Sequence, residues 1–177
     1  DANGCSNRDT ILLTQVPGPL VDLGADQQFC EGTSVTLDAG FNFEGFLWST
    51  GSTNSSIDVS VPGDYWVEVT DANQCTNRDT VTLDMNPLPV LTGVASGPTS
   101  VDNFLGQPSD YTASPSTFAT SYEWQIEPSS AGTISGTGQS AQVTWTPGFT
   151  DNANITVRGV NDCGPGDYSA NYVVAVY

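Results

Sequence analysis

Residues 1–13, DANGCSNRDTILL, return almost unchanged as residues 71–83, DANQCTNRDTVTL. Nine of the thirteen positions are identical without a gap: Asp1/Asp71, Ala2/Ala72, Asn3/Asn73, Cys5/Cys75, Asn7/Asn77, Arg8/Arg78, Asp9/Asp79, Thr10/Thr80 and Leu13/Leu83. Two prolines follow in step, Pro17/Pro87 and Pro19/Pro89. Self-similarity of this kind means repeated structural units, and it constrains the fold before any local reading does.

Inside the units the pattern has a period of two. SIDVSV places Ile57, Val59 and Val61 on one face, and YWVEVT places Tyr65, Val67 and Val69 on one face with Trp66, Glu68 and Thr70 opposite. SYEWQIEP sets Tyr122, Trp124 and Ile126 against Glu123, Gln125 and Glu127, and SAQVTW alternates Ala141, Val143 and Trp145. Gly- and Pro-bearing stretches such as Val61–Asp64, Thr146–Gly148 and Gly164–Gly166 punctuate these runs as turns. Short alternating strands with a turn every eight to twelve residues predict an all-β chain of tandem β-sandwiches, about seven strands in each. The expected division is 1–18 as the closing strand and linker of a preceding repeat, 19–89 as one complete module, and 90–177 as another. Proline-stiffened linkers at VPGPL and NPLPV favour a semi-rigid rod.

The charge narrows the chemistry. Three Arg and no Lys stand against twenty Asp plus Glu, with no His and a formal net charge of −17. Such a surface repels nucleic acid and anionic lipid, so neither is expected as a partner. Without His there is no Ser-His-Asp or Cys-His triad and no His-ligated metal. Without Lys there is no Schiff base. The carboxylates fall singly in turn-like sequence, with no paired arrangement suited to glycoside hydrolysis. The chain is expected to have no catalytic residues. No apolar run reaches the roughly 18 residues a membrane helix needs, nothing at the start reads as a signal peptide, and the chain reads as a segment of something longer.

Four cysteines take module positions. Cys30 precedes the strand SVTLDA and Cys75 precedes the closing strand, so a Cys30–Cys75 bond within the 19–89 module is expected. Cys5 stands where Cys75 stands, and its partner would lie in a preceding module. Cys163 finds Val101 where an early partner belongs, and is expected to be unpaired and buried unless it meets Cys5 of another chain. Four reduced core thiols are the alternative. Paired cysteines point to an oxidising compartment.

Two stretches carry a family resemblance. LGADQQFCEGTSVTLDAG and FLWSTGSTNSSIDVSVPGDYWVEVTDANQC resemble the immunoglobulin-like and PKD-like repeats of Bacteroidota cell-surface proteins, through Cys-Glu-Gly, Trp-Ser-Thr-Gly and the Gly-Asp-Tyr-Trp-Val-Glu-Val-Thr-Asp strand. SGPTSV, TSYEWQI, AQVTW and VRGVNDCG are similar to the related PKD-like type, departing from it at Val101. The resemblance implies immunoglobulin-like/PKD-like sandwiches in long extracellular adhesins of the bacterial cell surface, exported by the type IX system and including gliding-motility adhesins, where such modules are non-catalytic stalk or adhesive repeats. It also implies O-glycan acceptors at Thr10 and Thr80, in Asp-Thr-apolar context; the bland alternative is a strand-opening threonine.

Two functions stay open from the sequence: a stalk or filament segment, or a module binding carbohydrate or protein through loops or an exposed aromatic. Trp48 and Trp124 are expected in the cores of their modules, with Tyr65 anchoring the next-to-last strand of its module. Alternation turns Trp66 outward, where it could stack on a sugar or a neighbouring module. DANQCTNRD spaces oxygens as calcium loops do but fails the EF-hand pattern. Asp71, Asn73 and Asp79, with Asp22 or Asp26 from the linker, form the candidate calcium set, against an Asx-stabilised turn as the plainer reading; no other cofactor is expected. Arg8 and Arg78 are expected to pair with local carboxylates such as Asp9 and Asp79. Partners would be neighbouring repeats of the same chain, glycans, other surface proteins or further copies in self-assembly, with no direct membrane contact. Residues 1–13, with Ile11 and Leu13, would either complete a preceding module or add to a sheet edge in trans.

Overall fold

The computed structural model describes residues 8–15 and 17–177. Among these the only helical element is a single 3-10 turn at Ser129–Ala131, and the expected all-β sandwich architecture is what the chain adopts. It divides into two compact units, Asp1–Gln27 with Val35–Leu83, and Gln28–Ser34 with Asp84–Tyr177.

The early strands are β1 (Gln27–Cys30), β2 (Val35–Asp38), β3 (Gly45–Trp48), β4 (Ser56–Val59), β5 (Gly63–Thr70) and β6 (Thr76–Asn86). They form a sheet in the order β1-β6-β5-β3 and a second sheet, β2-β4. The period-two pattern explains which faces close on each other. Val67 and Val69 of β5, Val81 and Leu83 of β6 and Trp48 of β3 are buried, as are Leu37 of β2 and Val59 of β4. Each such side chain contributes about 1.5–3 kcal/mol by leaving water. Trp48 meets its expected place, its indole Nε1 donating to the Asn54 carbonyl at 2.7 Å. The Tyr65 hydroxyl donates to the Val61 carbonyl at 2.8 Å, fastening the turn that opens β5.

The second unit adds β7 (Val90–Leu91), β8 (Ser100–Val101), β9 (Ser109–Thr112), β10 (Ser116–Thr117), β11 (Ser121–Glu127), β12 (Gly132–Ser135), β13 (Ser140–Trp145), β14 (Asn152–Asn161), β15 (Gly164–Pro165) and β16 (Tyr172–Val176). One sheet runs β11-β14-β16-β8 with β15 on β14, another β12-β13-β9, and β10 pairs with β7. A single apolar cluster joins the two larger sheets: Ile126, Ile155, Val157 and Val174 from one, Tyr111, Val143 and Trp145 from the other. Trp124 does not hold the expected central place. It is half-buried at the margin of this cluster, and Trp145, 1% exposed, fills the centre beside Tyr111. The strand that carries the deeply buried indole is thus β13, whose alternate residues Ala141, Val143 and Trp145 all face in. Gly159 stands within β14 where neighbours come too close for a side chain: a Cβ there would lie 2.7 Å from Ser116 Oγ and 2.8 Å from Pro89 Cβ.

The disulfide departs from expectation. Cys30 is bonded to Cys163, with Cα atoms 5.3 Å apart, and Cys75 is free. The reason lies in β6. Cys75 sits in the turn at the start of that eleven-residue strand, whereas the residue after Cys30 pairs with its far end, Glu31 N donating to the Asn86 carbonyl at 3.0 Å. A strand of that length separates its ends by roughly 33 Å, far beyond the reach of a disulfide. Cys163 is therefore paired, contrary to the sequence reading, and Cys5 lies outside the described residues. Arg8–Leu13 forms no strand, and Ile11, Leu12 and Leu13 are 78%, 89% and 89% exposed.

Candidate functional site

Trp66, the candidate contact residue, lies on the β5–β6 ladder. Pairing sets Trp66 opposite Thr80 and Glu68 opposite Arg78. The Arg78 guanidinium lies 3.8 Å from the Trp66 ring centroid while its Nη2 meets Glu68 Oε2 at 3.2 Å. Arg78 thus pairs with Glu68, not with Asp79 as the local spacing suggested. The carboxylate holds the cation over one face of the indole. Half-exposed pairs of this kind contribute at most about 1 kcal/mol.

The same device recurs in the second unit. Glu123 and Arg158 are cross-strand partners on β11 and β14, Arg158 Nη2 meets Glu123 Oε2 at 2.6 Å, and the guanidinium lies 4.4 Å from the Tyr168 ring centroid. Two of the chain's three cations are spent on locking a sheet face, which leaves no cationic cradle for an anionic ligand among these elements.

The candidate calcium residues are engaged separately. Asp71 Oδ1 accepts from Asn73 N at 2.8 Å and Cys75 N at 2.9 Å, closing the β5–β6 turn. Asp79 Oδ2 accepts from Leu23 N at 2.7 Å, Asp26 Oδ1 from Thr82 N at 2.8 Å, and Asp22 Oδ1 from Gly24 N at 2.8 Å. Among the described residues no group of three or more His, Cys, Asp or Glu side chains gathers to hold a metal ion. Each of these carboxylates accepts from a backbone N–H. Thr10 and Thr80 are both exposed.

Sequence reasoning missed a recurring clamp on the proline segments. Asn77 Nδ2 donates to the Pro19 carbonyl at 2.9 Å, and Asn161 Nδ2 donates to the Pro87 carbonyl, also at 2.9 Å. In each unit an asparagine beside the closing hairpin ties down the entering linker. The signal was present, since both asparagines lie two residues from a cysteine, but an amide in a polar turn carries no distinctive spacing. Asn103 is the one buried polar side chain among the described residues. Its amide donates to the Thr146 carbonyl, its backbone N–H to the Tyr177 carbonyl at 3.0 Å, and its Oδ1 accepts from no protein group. A surface cleft of about 450 Å³ beside it is lined by Asp102, Asn103, Phe104, Gly148, Thr150 and Tyr177, and contains no nucleophile–base pair.

Residues 93–174 match the family model of the PKD-like domain. The matched span lies within the second unit. No curated protein matches the sequence. Among solved structures, domains of titin superpose with a TM-score of 0.51 at 13% identity, over 86% of this chain and 62% of that one. Murine CEACAM1b gives a TM-score of 0.42 at 14% identity, over 85% of this chain and 96% of that one. Fibronectin(III)-like modules of CbhA from Clostridium thermocellum give 0.39 at 12% identity, over 86% and 89%. The titin likeness shows a shared sandwich fold and nothing of function. No helix among the described residues is long and apolar enough to cross a membrane.

Proposed function

We propose that the chain is a non-catalytic repeat segment of a large extracellular bacterial surface protein, an adhesin or filament in which these sandwiches serve as stalk and cohesion modules. PKD-like and immunoglobulin-like domains are typical of extracellular repeat modules, and a disulfide belongs to an oxidising compartment. The Bacteroidota cell surface, type IX export and a gliding adhesin are the finer form of this reading. They rest on the resemblance of the Cys-Glu-Gly and Gly-Asp-Tyr-Trp-Val-Glu-Val-Thr-Asp stretches.

The observation that carries the proposal is the span of the Cys30–Cys163 bond. It joins residues 133 apart in sequence and so closes most of the chain into one covalent loop. A pull along the backbone passes through the sulfurs and leaves that loop unextended, a property suited to a load-bearing spacer. Stretching single molecules held at their two ends tests it. With the bond intact, unfolding releases only the residues outside the loop. Reduction, or Cys163→Ser, should add roughly 450 Å of contour length. An identical extension with and without reductant would remove the mechanical basis of the reading.

A further inference from the structure

Arg8–Leu13 carries the side chains with which β6 closes the first sandwich, and makes none of β6's contacts. Residues 8, 9, 10 and 13 are identical to 78, 79, 80 and 83, and Ile11 stands for Val81. In β6, Val81 and Leu83 are fully buried, Arg78 pairs with Glu68, and Asp79 accepts from Leu23 N. In the earlier copy Ile11 and Leu13 face water, Asp9 accepts from the adjacent Thr10 N, and among the described residues Arg8 has no ion-pair partner. Leu12 is the one departure in chemical character among the six. It replaces Thr82, whose hydroxyl donates to Asp64 at 3.0 Å.

A sequence with alternating Ile and Leu on one side and Arg and Thr on the other is stable as a strand only against a matching sheet. Strand addition supplies the backbone hydrogen bonds, and alternate side chains set the register. The lane that fits is the one beside a β5-type strand. In this chain that lane is filled by its own β6 over Gly63–Thr70, so the partner has to be another sandwich of the same type. We propose that Arg8–Leu13 is the closing β-strand of a second copy of the residue 19–83 sandwich. In that register Arg8 faces Glu68 of the second copy, Thr10 faces its Trp66, Ile11 its Tyr65 and Leu13 its Gly63. This holds whether or not the chain serves as a stalk.

The test supplies the full chain with a vacant lane. Residues 17–70 are added ahead of Asp1, so that residues 1–13 follow Thr70 as residues 71–83 do in the native order. Amide hydrogen exchange is then read at Thr10–Leu13. These amides should slow by roughly 1,000-fold relative to the unextended chain, as core strand amides do. Replacing Ile11 and Leu13 by Asp in the extended protein should abolish the protection. A parallel protein, extended instead by residues 17–83 with their own closing strand, shows that the added copy folds; there Thr10–Leu13 should stay fast. Fast exchange at Thr10–Leu13 in the first protein, with the added copy folded in the second, would overturn the proposal, as would protection that survives the two Asp substitutions.

Discussion

Tyr111 shows how a single side chain couples burial to pH. Its ring is fully buried against Trp145 and Tyr172, with centroids 6.5 and 6.1 Å away. Burial, and next the neighbouring Tyr172, push its phenol up to about 12. An acid whose folded value lies above its unfolded value of about 10 keeps its proton when the unfolded chain has lost it. Its stabilising share is therefore intact below pH 10 and is lost as pH rises toward 12. We expect chemical denaturation of the second unit to show stability falling by up to about 1.4 kcal/mol per pH unit above pH 10. Tyr111→Phe should flatten that slope, and an unchanged slope in the variant would reject the assignment. Tyr111 was legible only as one aromatic among many, because its strand is four residues long. Trp48 was readable from its place in a sandwich module, and Tyr65 from alternation. The exchange of Trp124 for Trp145 was not, since both sit in equally regular alternating runs and only the stacking of sheets decides which indole is enclosed.

At the level of elements, β6 is held on more than its pairing with β5. Its Asn77 and Asp79 reach back to the Pro19 carbonyl and the Leu23 amide, and Asp26 reaches forward to the Thr82 amide. Asp79→Ala should leave the Leu23 N–H without its acceptor and cost the first unit about 1–3 kcal/mol. Urea unfolding followed by Trp48 fluorescence checks this, and a loss below about 0.5 kcal/mol would mean that water replaces the carboxylate. The strands β5, β11 and β13 were visible in the sequence because each shows several periods of alternation. The two-residue strands β7, β8, β10 and β15 were not, for a pair of residues has no period. The carboxylates of the candidate calcium set left two readings open in the sequence for a related reason. A DxN spacing fits a metal loop and an Asx turn alike, and the direction of the nearest backbone N–H groups decided for the turn.

For the whole molecule the decisive feature is covalent. The sequence suggested a bond within one module, from the positions of Cys30 and Cys75 in a shared repeat. It could not show that β1 runs beside the far end of β6 and delivers Cys30 to Cys163. Closing a loop of 133 residues removes unfolded-state freedom equivalent to about 5 kcal/mol in the chain-entropy treatment. That helps a chain with short strands and an unbalanced charge of −17 to stay folded. A net charge of that size also disfavours self-association. The most direct measurement is mass spectrometry of peptides from the unreduced, alkylated full chain. We expect one cross-linked pair joining the peptide of Cys30 to that of Cys163, with Cys75 recovered outside that pair; a Cys30–Cys75 pair, or Cys30 alkylated as a free thiol, would contradict it.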